Sequence, residues 1–231
     1  MNKKSNEKLE KFLLEFDIVL NSSKEQDIHD FLKKNDRLLG FNSWDSFVTS
    51  KYKLADKYVP DFVVVGLAPL CNSPILSVTF VEIERANEAL FTKSGDPTSF
   101  LTHAIRQVQD WKGWVLENRN YLQYEIQKLI LKKNDTNVSK ESKWKRNKIP
   151  NTISYGFIDE YIVVAGRRNS MTMEDRLRLS QMNRDLDRIK VITYDVLMDS
   201  IFRELDRNRY NGFFYEGWRF TEDENKKNAC C

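Results

Sequence analysis

Three acidic side chains lie at the ends of two neighbouring apolar segments, where together they could hold a metal ion. Asp61 stands near the start of the run Pro-Asp-Phe-Val-Val-Val, and Glu82 and Glu84 close the next apolar run. Because Glu82 and Glu84 are two residues apart, they project from the same face of a strand. If the two segments are antiparallel neighbours, the loop between them returns both glutamates to the end of the sheet that holds Asp61.

This cluster predicts a particular chemistry. Three half-buried carboxylates repel one another, which raises the free energy of the folded chain unless a cation lies among them. Carboxylate oxygens and water are the ligands that Mg²⁺ or Mn²⁺ prefers. Such an ion lowers the pKa of a bound water and neutralises charge on a phosphodiester under attack. The alternative is that the three acids are solvated strand ends with no further role.

Polar residues on a long predicted helix could assist the carboxylates. Apolar residues recur every three or four positions from Leu101 to Val115, which predicts a helix of about 20 residues. His103, Gln107 and Trp111 are four residues apart and share one face of that helix. A histidine there could act as a general base near neutral pH. The alternative is that Trp111 packs in the core, Gln107 is a surface amide and His103 is structural.

One segment carries more than the whole positive excess of the chain. The net charge is +3, yet 132–148 contains seven Lys or Arg against two acids, a local charge of +5. Cations with an exposed aromatic among them could contact phosphates and stack on a base. The residues predicted to do so are Lys143, Trp144, Lys145 and Arg146, with Arg167 and Arg168 as a second candidate group. The alternatives are a solvated loop and a surface for an acidic protein partner.

The elements that must position these residues follow from hydrophobic periodicity. Helices are predicted over 6–20, from Ser23 to about Gly40, from Leu101, from Thr172 with Asp175 at the capping-box position, and after Tyr194. Strands are predicted over 47–54, 59–65, 75–84, 152–157, 160–165 and 190–194. A polar basic stretch is expected between the long helix and Pro150. This order indicates a mixed sheet flanked by helices.

Composition excludes several classes of protein. The chain has 231 residues, of which 41% are hydrophobic, enough to bury a core, so wholesale disorder is excluded. No apolar run approaches the ~18–20 residues of a membrane span, and the N-terminus has no signal-peptide core. Three cysteines, two of them at 230–231, form neither a disulfide framework nor a zinc pattern, so a reducing cytoplasm is expected. Eight scattered glycines make no phosphate-binding loop, which argues against ATP-driven chemistry.

The acidic motif resembles that of the PD-(D/E)xK nucleases. Pro60-Asp61 is followed by Glu82-Ile83-Glu84 at the end of a hydrophobic strand. The chain is similar, more specifically, to the Shedu family of bacterial anti-phage defence nucleases. Besides the acidic motif, the segments that carry this resemblance are 25–35, 90–98, 101–111, 163–168 and 192–197.

The resemblance implies a fold, an activity and a site. The fold is an α/β nuclease-like mixed central sheet flanked by helices, with an extra N-terminal helix. The activity is Mg²⁺- or Mn²⁺-dependent hydrolysis of DNA by a cytoplasmic homo-oligomer without a membrane segment. The implied metal ligands are Asp61, Glu82, the carbonyl of Ile83 and Glu25 of the leading helix, with Glu84 and Gln107 completing the site and His103 and Trp111 behind it.

One departure from the motif bears on catalysis more than on fold. The third motif position, usually lysine, is Glu84, which can add only negative charge or a further ligand. Arg85 does not replace the lysine simply, because adjacent strand residues face opposite sides. The alternative to a nuclease is therefore an inactive module of the same fold that binds DNA or assembles with a partner. The expected division is an N-terminal helix (1–22), a nuclease domain (23–215) and a tail (216–231).

Overall fold

A computed structural model of the chain describes residues 3–22, 24–40, 44–55, 57–70, 73–135 and 157–201. In chain order its helices are α1 (Lys3–Leu20), α2 (Glu25–Lys34), α3 (Ser99–Glu117), α4 (Arg119–Asp135), α5 (Met173–Asp185) and α6 (194–201). Its strands are β1 (Trp44–Ser50), β2 (Phe62–Leu70), β3 (Ser73–Ile83), β4 (Phe157–Val164) and β5 (Ile189–Ile192). The predicted α/β class is therefore confirmed.

The five strands form one mixed sheet in the order β1-β2-β3-β4-β5. The first three strands are an antiparallel meander, and β4 and β5 add to it in parallel with β3. Parallel neighbours require a crossover, which α3 and α4 provide between β3 and β4, and α5 between β4 and β5. This change of direction places the carboxyl ends of β3, β4 and β5 at one edge of the sheet.

Both faces of the sheet are buried, each under a separate hydrophobic layer. Alternate residues of β3, such as Val78 and Phe80, pack with buried residues of α3 and α4. The intervening residues, such as Val81 and Ile83, pack with α1, α2 and α6. Glu82 has the same parity as Phe80 and therefore belongs to the face that α3 and α4 cover.

The predicted N-terminal helix is present and packs in the second of these layers. Phe16 of α1 is fully buried and stacks on Phe31 of α2 with ring centroids 4.9 Å apart. Farther along α1, the Asp17 carboxylate accepts a 2.9 Å hydrogen bond from Arg167, which follows β4. The helix is thereby tied both to α2 and to the sheet.

The capping box predicted for α5 is also confirmed. The Thr172 hydroxyl accepts a hydrogen bond from the Asp175 N–H, and the Asp175 carboxylate accepts one from the Thr172 N–H, each 3.1 Å long. The reciprocal pair satisfies two backbone donors that a helix start otherwise leaves unpaired. A short sequence pattern is sufficient here because the interaction is local.

Several predicted boundaries were wrong, including those of α2, β1, β2 and the stretch after α3. Helix α2 ends at Lys34 and is followed by a 3-10 turn over Asp36–Leu39, so Gly40 does not cap it. Strand β1 ends at Ser50, four residues before the predicted end, because Lys51 turns into the left-handed region with φ of 52°. The stretch after α3 is not simply a polar segment, since α4 begins at Arg119 and buries one side, at Leu122, Ile126 and Ile130.

Several predictions fall on residues that the structure does not describe. These are Ser23 as a helix start, most of the basic segment, most of the strand predicted over 152–157, and the continuation of α6 beyond 201. Within the described ranges, none of the helices combines the length and apolarity needed to cross a bilayer.

Candidate functional site

Strand register places Lys51, Asp61 and Glu82 in one row across the sheet. Phe62 of β2 pairs with Val81 of β3, so the next residue pair along the ladder is Asp61 opposite Glu82. On the other side of β2, Ser50 pairs with Phe62, so the next pair is Lys51 opposite Asp61. Side chains directly opposite each other on antiparallel strands share a face, with Cβ atoms about 4.5–5.5 Å apart.

Asp61 is the centre of this row and is held from both sides. Its Oδ2 accepts a 2.9 Å hydrogen bond from the Ile83 N–H, and its Oδ1 is paired with the Lys51 ammonium. The backbones are joined as well, since the Lys51 N–H donates to the Asp61 carbonyl at 2.9 Å. The side chain is only 4% exposed, so its position is set by these contacts and not by solvent.

Glu82 is buried beside Asp61, and only one of its two carboxylate oxygens accepts a hydrogen bond from the described residues. Gln107 Nε2 donates to its Oε1 at 2.7 Å, whereas its buried Oε2 accepts no hydrogen bond from the described residues. When Glu82 is protonated, its carboxyl group hydrogen-bonds to Asp61. Burial, and then the negative charge of Asp61 next to it, raises the pKa of Glu82 to about 9. Without a cation, the pair is most stable when Glu82 keeps its proton.

Two further acids surround the pair. Burial and the charges of Glu25 and Asp61 raise the pKa of Glu84 to about 7. Burial and the charge of Asp61 likewise raise the pKa of Glu25 above its ordinary value. The Glu84 backbone is fixed at the end of β3, because its N–H donates to the Val164 carbonyl at 2.9 Å and its carbonyl accepts from the Tyr194 hydroxyl at 2.6 Å. The structure thus places Glu25 and Glu84 within electrostatic range of Asp61.

The donor chemistry of this cluster suits a hard cation. Asp61 and Glu82 are adjacent buried carboxylates, and the unpartnered Oε2 of Glu82 is a lone-pair donor without a protein partner. Mg²⁺ is commonly held by one or two carboxylates, with waters and substrate phosphates completing its shell. Within the described ranges, no group of three or more His, Cys, Asp or Glu side chains is arranged to hold a metal ion. The ligand set that fits is therefore the Asp61–Glu82 pair, with Glu25 and Glu84 around it.

Lys51 is the residue of this site that the sequence did not indicate. Burial opposes its charged form, but the hydrogen bond and charge of Asp61 more than compensate, so the pKa of Lys51 lies above its ordinary value. It is separated from Asp61 along the chain by residues 52–60, and only the register of β1 on β2 brings the two side chains together. No motif signalled this pairing. An antiparallel alignment of the two predicted strands could have suggested it.

The three α3 residues predicted to assist the carboxylates lie in different surroundings. Gln107 is half-buried and bonded to Glu82, as a supporting role requires. Trp111 is 1% exposed in the hydrophobic layer between α3 and the sheet. Trp111 therefore packs in the core, as the alternative interpretation expected. Its role in positioning the site stays a prediction. His103 lies exposed one turn before Gln107, and its assisting role also remains a prediction.

The residues predicted to bind phosphate are not brought to the carboxylates by any described contact. Lys143, Trp144, Lys145 and Arg146 lie outside the described residues. Arg167 lies between Asp17 at 2.9 Å and Asp195 at 3.3 Å, and Arg168 pairs with Asp199. Arg167 thus joins α1 to α6, while the half-exposed Arg168 stays a predicted phosphate contact.

The comparisons with known proteins agree with the segments that carried the family resemblance. A family model described as Shedu protein SduA, C-terminal, matches residues 22–198. The match spans the sheet, the carboxylate cluster and helices α2 to α5. A search of the curated proteins found no match to this chain.

Proposed function

This chain belongs to the Shedu family, whose model covers 22–198, and from that premise we propose that it is a metal-dependent DNA nuclease of anti-phage defence. The observation that carries the proposal is the buried Asp61–Glu82 pair, in which one Glu82 oxygen has no hydrogen-bond partner in the described part of the chain. Two adjacent buried carboxylates require a neutralising proton or cation. A site that recruits a divalent cation beside a DNA backbone is suited to phosphodiester hydrolysis.

Asp61 and Glu82 would hold the ion, with the carbonyl of Ile83 as the ligand that the resemblance adds. Glu25 and Glu84 would lie around it. Bound there, Mg²⁺ or Mn²⁺ would lower the pKa of a water molecule and neutralise charge on the attacked phosphate. The chain fixes both carboxylates in advance, through the Ile83 N–H on Asp61 and the Gln107 amide on Glu82. This preorganisation reduces the reorganisation needed when substrate arrives.

The hydrolysis itself exchanges one phosphorus–oxygen bond for another. The oxygen of water forms a bond to phosphorus while the bond from phosphorus to the leaving ester oxygen breaks. The water releases one proton, and the leaving oxygen takes one up from solvent. Glu84, whose charge acts on Glu82, would be the carboxylate beside the pair that accepts the released proton.

An inactive module of the same fold is the second candidate. The observation that favours it is Glu84, which stands where a nuclease of this kind usually has lysine. An acid at this position adds negative charge beside a phosphate that is already negative. Such a module would bind DNA through its cationic segments and leave the strand intact.

A divalent-metal nuclease assay on linear and circular DNA separates the candidates. We expect cleavage with Mg²⁺ or Mn²⁺ and none in EDTA, and a loss of about 10³-fold or more in Asp61→Ala and Glu82→Ala. Asp110→Ala, which removes an exposed carboxylate from α3, is the matched control and should cleave normally. Mn²⁺ should also raise the melting temperature of the wild-type protein more than that of Asp61→Ala.

Other outcomes would identify the alternatives. Salt-sensitive DNA retention without cleavage, unchanged by either substitution, would establish the inactive module. Neither retention nor cleavage would favour the interpretation that the cationic segment meets an acidic protein partner.

A further inference from the structure

Lys51 is held against Asp61 by contacts of both its backbone and its side chain. Its backbone is in the left-handed region, with φ of 52°, which disfavours a residue with a Cβ atom. Ala55 and Arg188 also lie in this region, so the conformation shows that the position is held by its contacts and is not by itself a sign of function. The contacts here are the hydrogen bond from the Lys51 N–H to the Asp61 carbonyl and the ion pair between the two side chains.

The side chain also faces both the buried acids and the solvent. Asp61 is 4% exposed, whereas the side chain of Lys51 is 52% exposed. The ammonium therefore reaches a buried carboxylate while much of the lysine remains accessible from outside. A phosphate group that approaches the carboxylate pair from solvent would meet this cation.

The charge balance of the cluster explains why a cation is needed at this point. Asp61, Glu82 and Glu84 are mutually close enough to raise the pKa of Glu82, and the anionic DNA backbone would add further negative charge. Arg85, the neighbour of Glu84, pairs with Glu88 at 3.5 Å, and its positive charge opposes the rise in the pKa of Glu25 and Glu84. Lys51 is the cation paired with Asp61, and it lies in the same row across the sheet as Asp61 and Glu82.

We propose that Lys51 is the catalytic lysine of this site, supplied from the end of β1 in place of the one that the motif lacks at position 84. Its ammonium group contacts the scissile phosphate and stabilises the negative charge that grows on the phosphate oxygens as water attacks. The inference rests on the proposed nuclease function. It assigns to this chain a residue that lies outside the acidic motif.

The test compares Lys51→Gln with Lys53→Gln. Glutamine can still donate a hydrogen bond to Asp61 but carries no charge, so the fold should be retained. We expect Lys51→Gln to lower the single-turnover cleavage rate about 10²–10³-fold with little change in substrate affinity. Lys53→Gln, which changes an exposed lysine two residues away, should cleave like the wild type.

A rescue experiment distinguishes catalysis from simple neutralisation of Asp61. Adding Glu84→Lys to Lys51→Gln returns an ammonium to the usual motif position and should raise cleavage at least about tenfold over Lys51→Gln alone. The Mn²⁺-induced rise in melting temperature should persist in Lys51→Gln. It would disappear if the lysine served only to shape the Asp61 carboxylate.

The possible outcomes test the role of Lys51 and the proposed nuclease function separately. Wild-type cleavage that is unaffected by Lys51→Gln would overturn the role of Lys51 and leave the nuclease function standing. Loss of cleavage together with loss of the Mn²⁺ response would overturn it as well, in favour of a structural lysine. A wild-type protein that does not cleave under any divalent metal would overturn the proposed function and the lysine assignment together.

Discussion

Two buried carboxylate sites on the same sheet are neutralised in opposite ways. At Asp159 in β4, one fully buried carboxylate meets two guanidinium groups, Arg119 at 2.9 Å and Arg188 at 3.3 Å. At the Asp61–Glu82 pair, two buried carboxylates share one ammonium, that of Lys51. Asp159 lies only four residues before Val163, the residue of β4 that pairs with Glu82. Along a strand this separation is about 13 Å.

The difference separates a carboxylate that is fully paired within the chain from the pair that we propose binds a cation. One carboxylate between two guanidinium groups already has an excess of positive charge, and the Asp159 cluster joins α4 to the sheet. A pair of carboxylates that share one ammonium is short of positive charge unless Glu82 keeps its proton or a further cation binds. The folded chain tolerates this unfavourable charge arrangement because packing elsewhere in the core stabilises the fold. Charge balance therefore sets the candidate site apart from Asp159 more clearly than burial does.

The largest effect expected from this comparison is a pH dependence of stability that originates at Glu82. The pKa of Glu82 rises from 4.5 to about 9 on folding. The folded chain therefore holds the proton more tightly, and this stabilisation is complete below 4.5 and is lost as the pH rises toward 9. In EDTA, the free energy of unfolding should fall by up to about 1.4 kcal/mol for each pH unit in this window, or as much as about 4 kcal/mol over three units.

Denaturant titrations at several pH values measure this slope. Glu82→Gln should flatten it, whereas Glu160→Gln, a change at a partly exposed glutamate of β4, should retain it. Equal slopes in wild type and Glu82→Gln would show that Glu82 is already ionised in the metal-free protein.

A matched pair of substitutions contrasts the two sites in stability. Asp159→Asn leaves two arginines without their counter-charge, and we expect the free energy of unfolding to fall by about 2–3 kcal/mol. Asp61→Asn removes the charge that helps to raise the pKa of Glu82 and leaves only the half-exposed Lys51 without its counter-charge, so that free energy should fall by less. Thermal or chemical denaturation without divalent metal compares them directly. If Asp61→Asn proved as destabilising as Asp159→Asn, the proposed deficit of positive charge would be wrong.

The smallest effect concerns Gln107, which supports Glu82 without being charged. Gln107→Leu removes the 2.7 Å hydrogen bond to Oε1, and loss of such support costs about 10- to 100-fold in activity or metal affinity. Gln109→Leu, at an exposed position on the same helix, is the control. Initial cleavage rates across a Mn²⁺ titration provide the measurement. Identical titrations for the two variants would assign Gln107 to packing alone.

Local patterns accounted for much of this molecule. The N-terminal helix, the α5 capping box and the long helix α3 follow from periodicity and short motifs, because neighbouring residues along the chain determine them. The return of Glu82 to the level of Asp61 was also predictable, since a short connection between two apolar strands favours an antiparallel hairpin. Helix α4 could have been predicted in the same way, because Leu122, Ile126 and Ile130 recur every four residues.

The sequence by itself determined which acids come together, because Asp61 and Glu82 are placed by adjacent strands whose order follows the chain. Only the tertiary structure decided which cation joins them and which amide supports them. Lys51 reaches Asp61 through the register of β1 on β2, and a shift of one residue would turn that lysine to the opposite face. Gln107 reaches Glu82 because α3 packs across the sheet, a contact that periodicity along the helix does not specify.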